Sequence, residues 1–261
     1  MEILSTKTLK ETIINRLSEH GFDNKILLLS KNPSDEVSHY KNVIIKRCEE
    51  FAIEYIDKEF KDETNDEMLD FINSYNSNDG FIILSPFGDG EDLTILKENI
   101  KLKDLDSFTY KSKGRIFDGD KYALPATARA IVRFMDNEKI AYKGKNIVIA
   151  NNTNIIGRPL ATYLASQRAS VRIINSLTKN PKSIIRNSDI FISAIGKAEY
   201  YDESYFKDGS FIIDVGTSYK NGKIIGDIDC DSIADLDVKY LGSRNGIGSI
   251  TTITLVEGLI D

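Results

Sequence analysis

The feature that most constrains this chain is an alternation of short apolar runs with stretches whose apolar residues recur every three or four positions. Leu9, Ile13, Ile14 and Leu17 fall at helical spacing, and the run 26–29 that follows Gly21 is short and continuously apolar, like a buried strand. Val37, Tyr40, Ile44, Ile45, Cys48 and Phe51 mark one face of a long helix that begins after Pro33 and leads to a strand around 52–56. Met68, Leu69, Ile72 and Tyr75 predict another helix, after which Asn78-Asp79-Gly80 turns the chain into the apolar run 81–84. The stretch 97–121 is polar and irregular and reads as a connection, and Pro125 precedes a helical pattern through Ile131, Phe134 and Met135. Strands alternating with helices in this way pair in parallel and are covered on both faces, so the fold class is α/β.

The second half repeats the alternation more regularly, with strands at 146–150, 170–174, 189–194 and 211–215 and a helix at 157–167, which is a doubly wound pattern. A last helical element runs from near Ser249 to Asp261. With 261 residues and 41% apolar composition, two modest cores are expected over one large one. The predicted organisation is an α/β lobe over 1–132, a Rossmann-like domain over 133–246, a helix over 247–261 packing back on the first lobe, and a cleft between the lobes.

A net charge of −6 argues against a broad basic face for nucleic acid. Cys48 and Cys230 stand far apart without a Cys-x-x-Cys pair, and His20 and His39 are the only histidines, so neither a disulfide framework nor a metal site is expected. Residues 1–20 mix charges among the apolar positions and fit neither a signal peptide nor a membrane span, so a cytoplasmic location is expected.

The loop Asn151-Asn152-Thr153-Asn154-Ile155-Ile156-Gly157-Arg158-Pro159 lies between a strand and a helix, where backbone amides and the helix dipole favour a phosphate. It is not Gly-x-Gly-x-x-Gly, and similar residues build ordinary strand-to-helix turns, so the loop by itself supports both readings. Its surroundings extend the pattern. The loop resembles the Gly-Arg-Ser-x-x-Val-Gly-x-Pro motif of methylenetetrahydrofolate dehydrogenase/cyclohydrolases. Asn175-Ser176-Leu177-Thr178, Ser193-Ala194-Ile195-Gly196-Lys197, Ile213-Asp214-Val215-Gly216, Gly226-Asp227-Ile228-Asp229 and Gly246-Ile247-Gly248-Ser249-Ile250-Thr251 resemble later segments of that family, in the family's order. The first half adds Asn32-Pro33, Tyr40, Cys48-Glu49-Glu50, Asp79-Gly80, Pro86, Lys103-Asp104-Leu105-Asp106, and Pro125 with Thr127.

The resemblance implies a folate substrate, a homodimer, and a nicotinamide cofactor held by Asn151, Asn152, Thr153, Gly157, Ser176 and Thr217. Asn151 and Asn152 stand where the family has Gly and Arg. The strand 170–174 ends Ile174-Asn175-Ser176, without the acidic residue that commonly holds the ribose hydroxyl of NAD, so the cofactor expected is NADP, with NAD as the alternative. In the first lobe the resemblance assigns Tyr40 to the folate pocket and Asp106 to the pterin, and all four catalytic positions, Tyr40, Ile44, Leu84 and Asp106, are expected to line the cleft. Ile44 stands where the family has its catalytic Lys, and Leu84 where it has its active-site Gln. Aliphatic side chains transfer no proton, so the cyclohydrolase step should suffer most and hydride transfer least. Lys41, a turn before Ile44, would ordinarily face solvent but could swing in as a substitute base. The expected function is therefore methylenetetrahydrofolate dehydrogenase. The alternatives are a bifunctional enzyme with a rearranged site, or a folate- or nucleotide-binding relative without catalysis; an unrelated Rossmann oxidoreductase ranks below both.

Overall fold

The structure is a computed structural model and describes residues 1–88, 90–220 and 222–261. In chain order its elements are β1 (Glu2–Ile3), α1 (Lys7–Glu19), β2 (Ile26–Lys31), α2 (Asp35–Glu50), β3 (Tyr55–Phe60), α3 (Asn65–Asn73), β4 (Gly80–Ile83), α4 (Thr94–Asn99), β5 (Lys103–Asp104), α5 (Tyr110–Phe117) and α6 (Ala126–Asn137). There follow β6 (Asn146–Ala150), α7 (Gly157–Ser166), β7 (Ser170–Ile174), α8 (Pro181–Arg186), β8 (Ile190–Ser193), β9 (Phe211–Asp214), β10 (Ser218–Lys220), β11 (Lys223–Ile225), β12 (Lys239–Leu241) and α9 (Gly248–Glu257).

The chain divides into two compact units. One comprises Thr12–Ile116, Tyr122–Ala126 and Thr252–Asp261. Its sheet is parallel, in the order β3-β2-β4-β5. Central β2 is buried along its whole length, the apolar run 26–29 together with Ser30 and Lys31. Leu27 and Leu29 pack with Phe60, Phe81, Met68 and Ile72 into one core. The inward stripe of α2 is Val37, Lys41, Ile44 and Cys48. Ser34 caps this helix by accepting from the Val37 amide at 3.3 Å, and Asp35 and Glu36 complement its dipole.

Two expectations need correction here. The strand expected at 52–56 begins at Tyr55, because Ala52 is left-handed (φ 52°) and the Ile53 amide still bonds to the Cys48 carbonyl at 2.8 Å, which ends α2. The stretch 97–121 holds the second half of α4 together with β5 and α5. Its buried Leu102, Leu105 and Ile116 are too widely spaced among polar residues to show a period.

The other unit comprises Met1–Glu11, Phe117–Lys121 and Thr127–Thr251. Six parallel strands run in the order β1-β12-β9-β8-β6-β7, beside the antiparallel hairpin β10-β11. The order reverses at β6, with β7 on one side and β8 on the other, which is the switch point of a doubly wound sheet. The expected boundaries 1–132 and 133–246 are corrected at both margins. Met1–Glu11 belongs to the six-stranded unit because Glu2 pairs with Lys239 and Ile3 with Tyr240, and Thr127 onward belongs there too. Thr252–Asp261 belongs with the four-stranded unit, where the Arg16 guanidinium donates to Glu257 at 2.9 Å and to Asp261 at 2.7 Å. Among the described residues no helix is long and apolar enough to cross a membrane, and no group of three His, Cys, Asp or Glu side chains could hold a metal.

Candidate active site

The loop after β6 is organised by the side chain of Asn151. Its carbonyl oxygen accepts from the Thr153 amide at 2.9 Å, the Thr153 hydroxyl at 2.7 Å and the Gly157 amide at 3.0 Å, while its amide donates to the Ala194 carbonyl at 2.7 Å. The Thr153 hydroxyl accepts in turn from Ile156. Asn151 was expected to contact the cofactor; its side chain is instead spent inside the loop, satisfying the first amide of α7. Gly157 is buried, and a Cβ there would lie 1.8 Å from the Asn151 backbone carbonyl oxygen, so its glycine serves close packing of helix on loop. Asn152, Thr153 and Asn154 remain exposed beside the helix N-terminus, and Arg158 Nε donates to Asn152 Oδ1 at 3.2 Å.

The adjacent loop after β7 is closed by Asn175, whose Oδ1 accepts from the Leu177 amide and whose own amide donates to Thr178, both at 2.9 Å, leaving Ser176 exposed. Thr217, after β9, is exposed as well. These residues fit a dinucleotide: open hydroxyl and amide groups at the carboxyl ends of β6, β7 and β9, around a switch point and a helix N-terminus. A separate depression of about 450 Å³ lined by Ile3, Cys230, Tyr240 and Arg244 contains none of the predicted cofactor residues.

Under the loops after β8 and β9 lie two fully buried carboxylates. Asp214 Oδ1 accepts from the amides of Gly216 and Asp227, and Oδ2 from the Ile228 amide and the Tyr240 hydroxyl. Burial pushes Asp214 up to about 6 against the opposing pull of the Asp227 and Ile228 amides, with the Asp227 carboxylate adding to the rise. Asp227 accepts from Ser193 Oγ at 2.6 Å, the Ile195 amide at 2.8 Å and the Lys197 amide at 2.7 Å. Both aspartates fall within the motif segments Ile213-Asp214-Val215-Gly216 and Gly226-Asp227-Ile228-Asp229, where the resemblance assigns them no task. The available signal was an Asp closing the apolar run Phe211–Ile213, a position that is buried and must find donors.

In the four-stranded unit, Tyr40 and Asp106 come together. Burial first, and then the Asp106 carboxylate, push the Tyr40 phenol above its ordinary range, while 36% of the residue's surface stays open. Asp106 is half-buried and its Oδ1 accepts from the Ala126 amide at 2.7 Å, at the start of α6. Asp104 shapes the turn that presents it, accepting from the amides of Asp106, Phe108 and Thr109. Ser107, buried with φ 61°, completes the bend.

Ile44 and Leu84 do not face an open surface as expected: Ile44 is 0% exposed and Leu84 2%. Each continues an apolar stretch, Ile44 the α2 stripe and Leu84 the run that closes β4, where its amide bonds to the Leu29 carbonyl. Lys41 is not the solvent-facing lysine expected. It is buried, and its Nζ is paired with Asp57 on β3 at 2.9 Å. That edge of the sheet is opposite to β5, which leads to Asp106.

Fold and site together define a two-unit α/β protein whose larger sheet carries a dinucleotide-binding edge. Residues 125–261 match the family description "Tetrahydrofolate dehydrogenase/cyclohydrolase, NAD(P)-binding domain". The bifunctional protein FolD of Clostridium botulinum is 32% identical over 256 residues, spanning 95% of this chain and 90% of that protein. FolD of Clostridium beijerinckii is 33% identical over 218 residues, 81% of this chain and 77% of that one. The crystal structure of the Campylobacter jejuni FolD methylenetetrahydrofolate dehydrogenase/cyclohydrolase superposes with a TM-score of 0.89 at 26% identity, covering 100% of this chain and 97% of that one. The chain belongs to the methylenetetrahydrofolate dehydrogenase/cyclohydrolase family and carries its NAD(P)-binding domain.

Proposed function

We propose that this chain oxidises methylenetetrahydrofolate by hydride transfer to NADP, and that its cyclohydrolase activity is weak or lost. The observation that carries the reading is the burial of Ile44 and Leu84 as aliphatic side chains where the family resemblance places Lys and Gln, with Lys41 committed to Asp57. Ring hydration needs a positioned proton donor and acceptor, whereas hydride transfer depends chiefly on holding donor and acceptor carbons in line. Asp106, with Tyr40 beside it, would hold the pterin. Asn152, Thr153, Ser176 and Thr217 would hold the dinucleotide, which supplies the hydride acceptor when bound. NADP is preferred because no carboxylate closes β7.

A second reading, a relative that binds without turning over, is favoured by one observation: Asn151 already satisfies the Gly157 amide that a phosphate would use. We further propose a cytoplasmic homodimer. Exposed Ile3, Tyr219 and Ile224 on strands β1, β10 and β11 supply apolar surface for a second copy, to be checked by sedimentation.

Assays of methylenetetrahydrofolate oxidation with each dinucleotide, beside methenyltetrahydrofolate hydrolysis, decide between the readings. NADP-dependent oxidation with hydrolysis near background is the expected result. Comparable rates of both reactions would overturn it, and dinucleotide binding without turnover would establish the second reading.

A further inference from the structure

Two loops at the carboxyl ends of adjacent strands β8 and β9, residues 194–197 and 215–217, flank the place where a dinucleotide's nicotinamide end lies in a doubly wound sheet. Ile195 and Lys197 turn their amides away from that surface and onto a single internal acceptor, the carboxylate of Asp227. Between them Gly196 is left-handed (φ 66°), and a Cβ on it would meet nothing nearer than the Thr217 carbonyl at 3.8 Å, so the outer side of the loop is open. Ser193 Oγ donates the third bond.

The same carboxylate governs the second loop. Gly216 crosses it so closely that a Cβ would stand 2.1 Å from Asp227 Oδ1. Asp214, at the end of β9, fixes the Asp227 backbone by accepting its amide and that of Ile228. The arrangement is a relay: strand end, buried acid, backbone of 227–228, second buried acid, cofactor-facing loops.

Asp227 is 0% exposed, and burying a carboxylate is costly unless its oxygens are fully engaged. Its three partners lie at 2.6–2.8 Å, the range of charge-assisted bonds. A neutral amide could not replace it. Whichever of its two atoms became the NH2 group, it would point at a backbone amide, of Ile195 or of Lys197, that can only donate.

We infer that Asp227 is a positioning residue for the dinucleotide, shaping the loops 194–197 and 215–217 on which the nicotinamide end rests. The inference builds on the dinucleotide-dependent function proposed above. It is tested with Asp227→Asn in the full chain by three readouts: equilibrium affinity for NADP, equilibrium affinity for the folate, and amide hydrogen exchange at Ile195 and Lys197. Each charge-assisted bond is worth a factor of roughly 10 or more, so NADP affinity should fall about 10–100-fold and exchange at both amides should rise at least about 10-fold. Folate affinity and exchange in β2 should stay within about two-fold, a split that general destabilisation would not produce. Should Asp227→Asn fail to fold, Ser193→Ala removes one donor only, and NADP affinity should then fall about 3–10-fold. Undiminished NADP affinity in a folded Asp227→Asn, or in Ser193→Ala where that is the variant available, overturns the inference alone. Absence of NADP and NAD binding by the unmodified chain overturns the functional reading, and this inference with it.

Discussion

Replacing Ile44 by Lys and Leu84 by Gln would restore proton-transfer groups where the family resemblance expects them, and the structure sets the cost. Both positions are nearly sealed, at 0% and 2% exposure. Removing two buried aliphatic side chains forfeits roughly 1.5–3 kcal/mol each before the ammonium is desolvated. The new ammonium also lies one turn from that of Lys41, a like charge already held by Asp57. A loss of at least about 3–6 kcal/mol is a large share of the 5–15 kcal/mol typical of a folded protein, and should lower Tm by roughly 2–4 °C per kcal/mol. Against that cost, general acid-base groups contribute about 10²–10⁴-fold. The assay is loss of the methenyltetrahydrofolate chromophore at a temperature where circular dichroism shows the variant folded, with Ile44→Met, Leu84→Met as a volume-matched control expected to cost under about 1.5 kcal/mol per site. Hydrolysis rising at least about 10²-fold over the unmodified chain is the expected result. A folded double variant that binds folate yet hydrolyses no faster would refute the assignment of these positions, and robust hydrolysis by the unmodified chain would refute it sooner.

Lys41→Met should leave both activities unchanged and cost only about 1 kcal/mol, because Asp57 keeps over a third of its side chain in water and the pair is screened; a selective loss of hydrolysis would instead make Lys41 the base. Gly157→Ala drives a Cβ into the Asn151 carbonyl and must displace the loop, so NADP affinity should fall at least about 10-fold by titration while folate binding persists. Stability should depend on pH in two opposed windows. Asp214, raised to about 6 in the folded state, binds its proton more tightly folded than unfolded, so stability falls by roughly 3 kcal/mol as pH rises from about 4 to 6 and is flat above. Glu63, lowered to about 2 by the Lys58 ammonium and the Lys61 amide, stabilises above about 4.5 and loses that contribution as pH falls towards 2. Urea midpoints across pH 3–8 should therefore peak near pH 4–5, and Asp214→Asn should flatten the upper limb.

The elements legible in the sequence are those whose burial writes a period. β2 opens on an unbroken apolar run, 26–29, because both faces are covered, and α2 shows its stripe because one face is. β1, with two residues, and β12, with three, are too short to hold a pattern, and they exist through pairing with strands far away in sequence. The strands of the hairpin β10-β11, with three residues each, are likewise too short to hold a pattern.

Legibility of the site divides along a different line, between side chains that could meet a ligand and side chains that hold the chain's own loops. Resemblance marks a position without saying which way its side chain turns. Asn151 and Asp227 both sit in motif segments, and both are directed inward, each accepting from amides of its own scaffold. Lys41 shows the same limit, since its place in the inward stripe becomes tolerable only through Asp57, sixteen positions away on a strand that local spacing cannot pair with it. A buried polar residue is defined by its partner, and when that partner lies across a sheet the sequence shows the need for one without showing its identity. Ile44 and Leu84 invert this logic: their burial requires no partner, so they pass as ordinary core, and their meaning lies in the proton-transfer groups the family resemblance puts in their place.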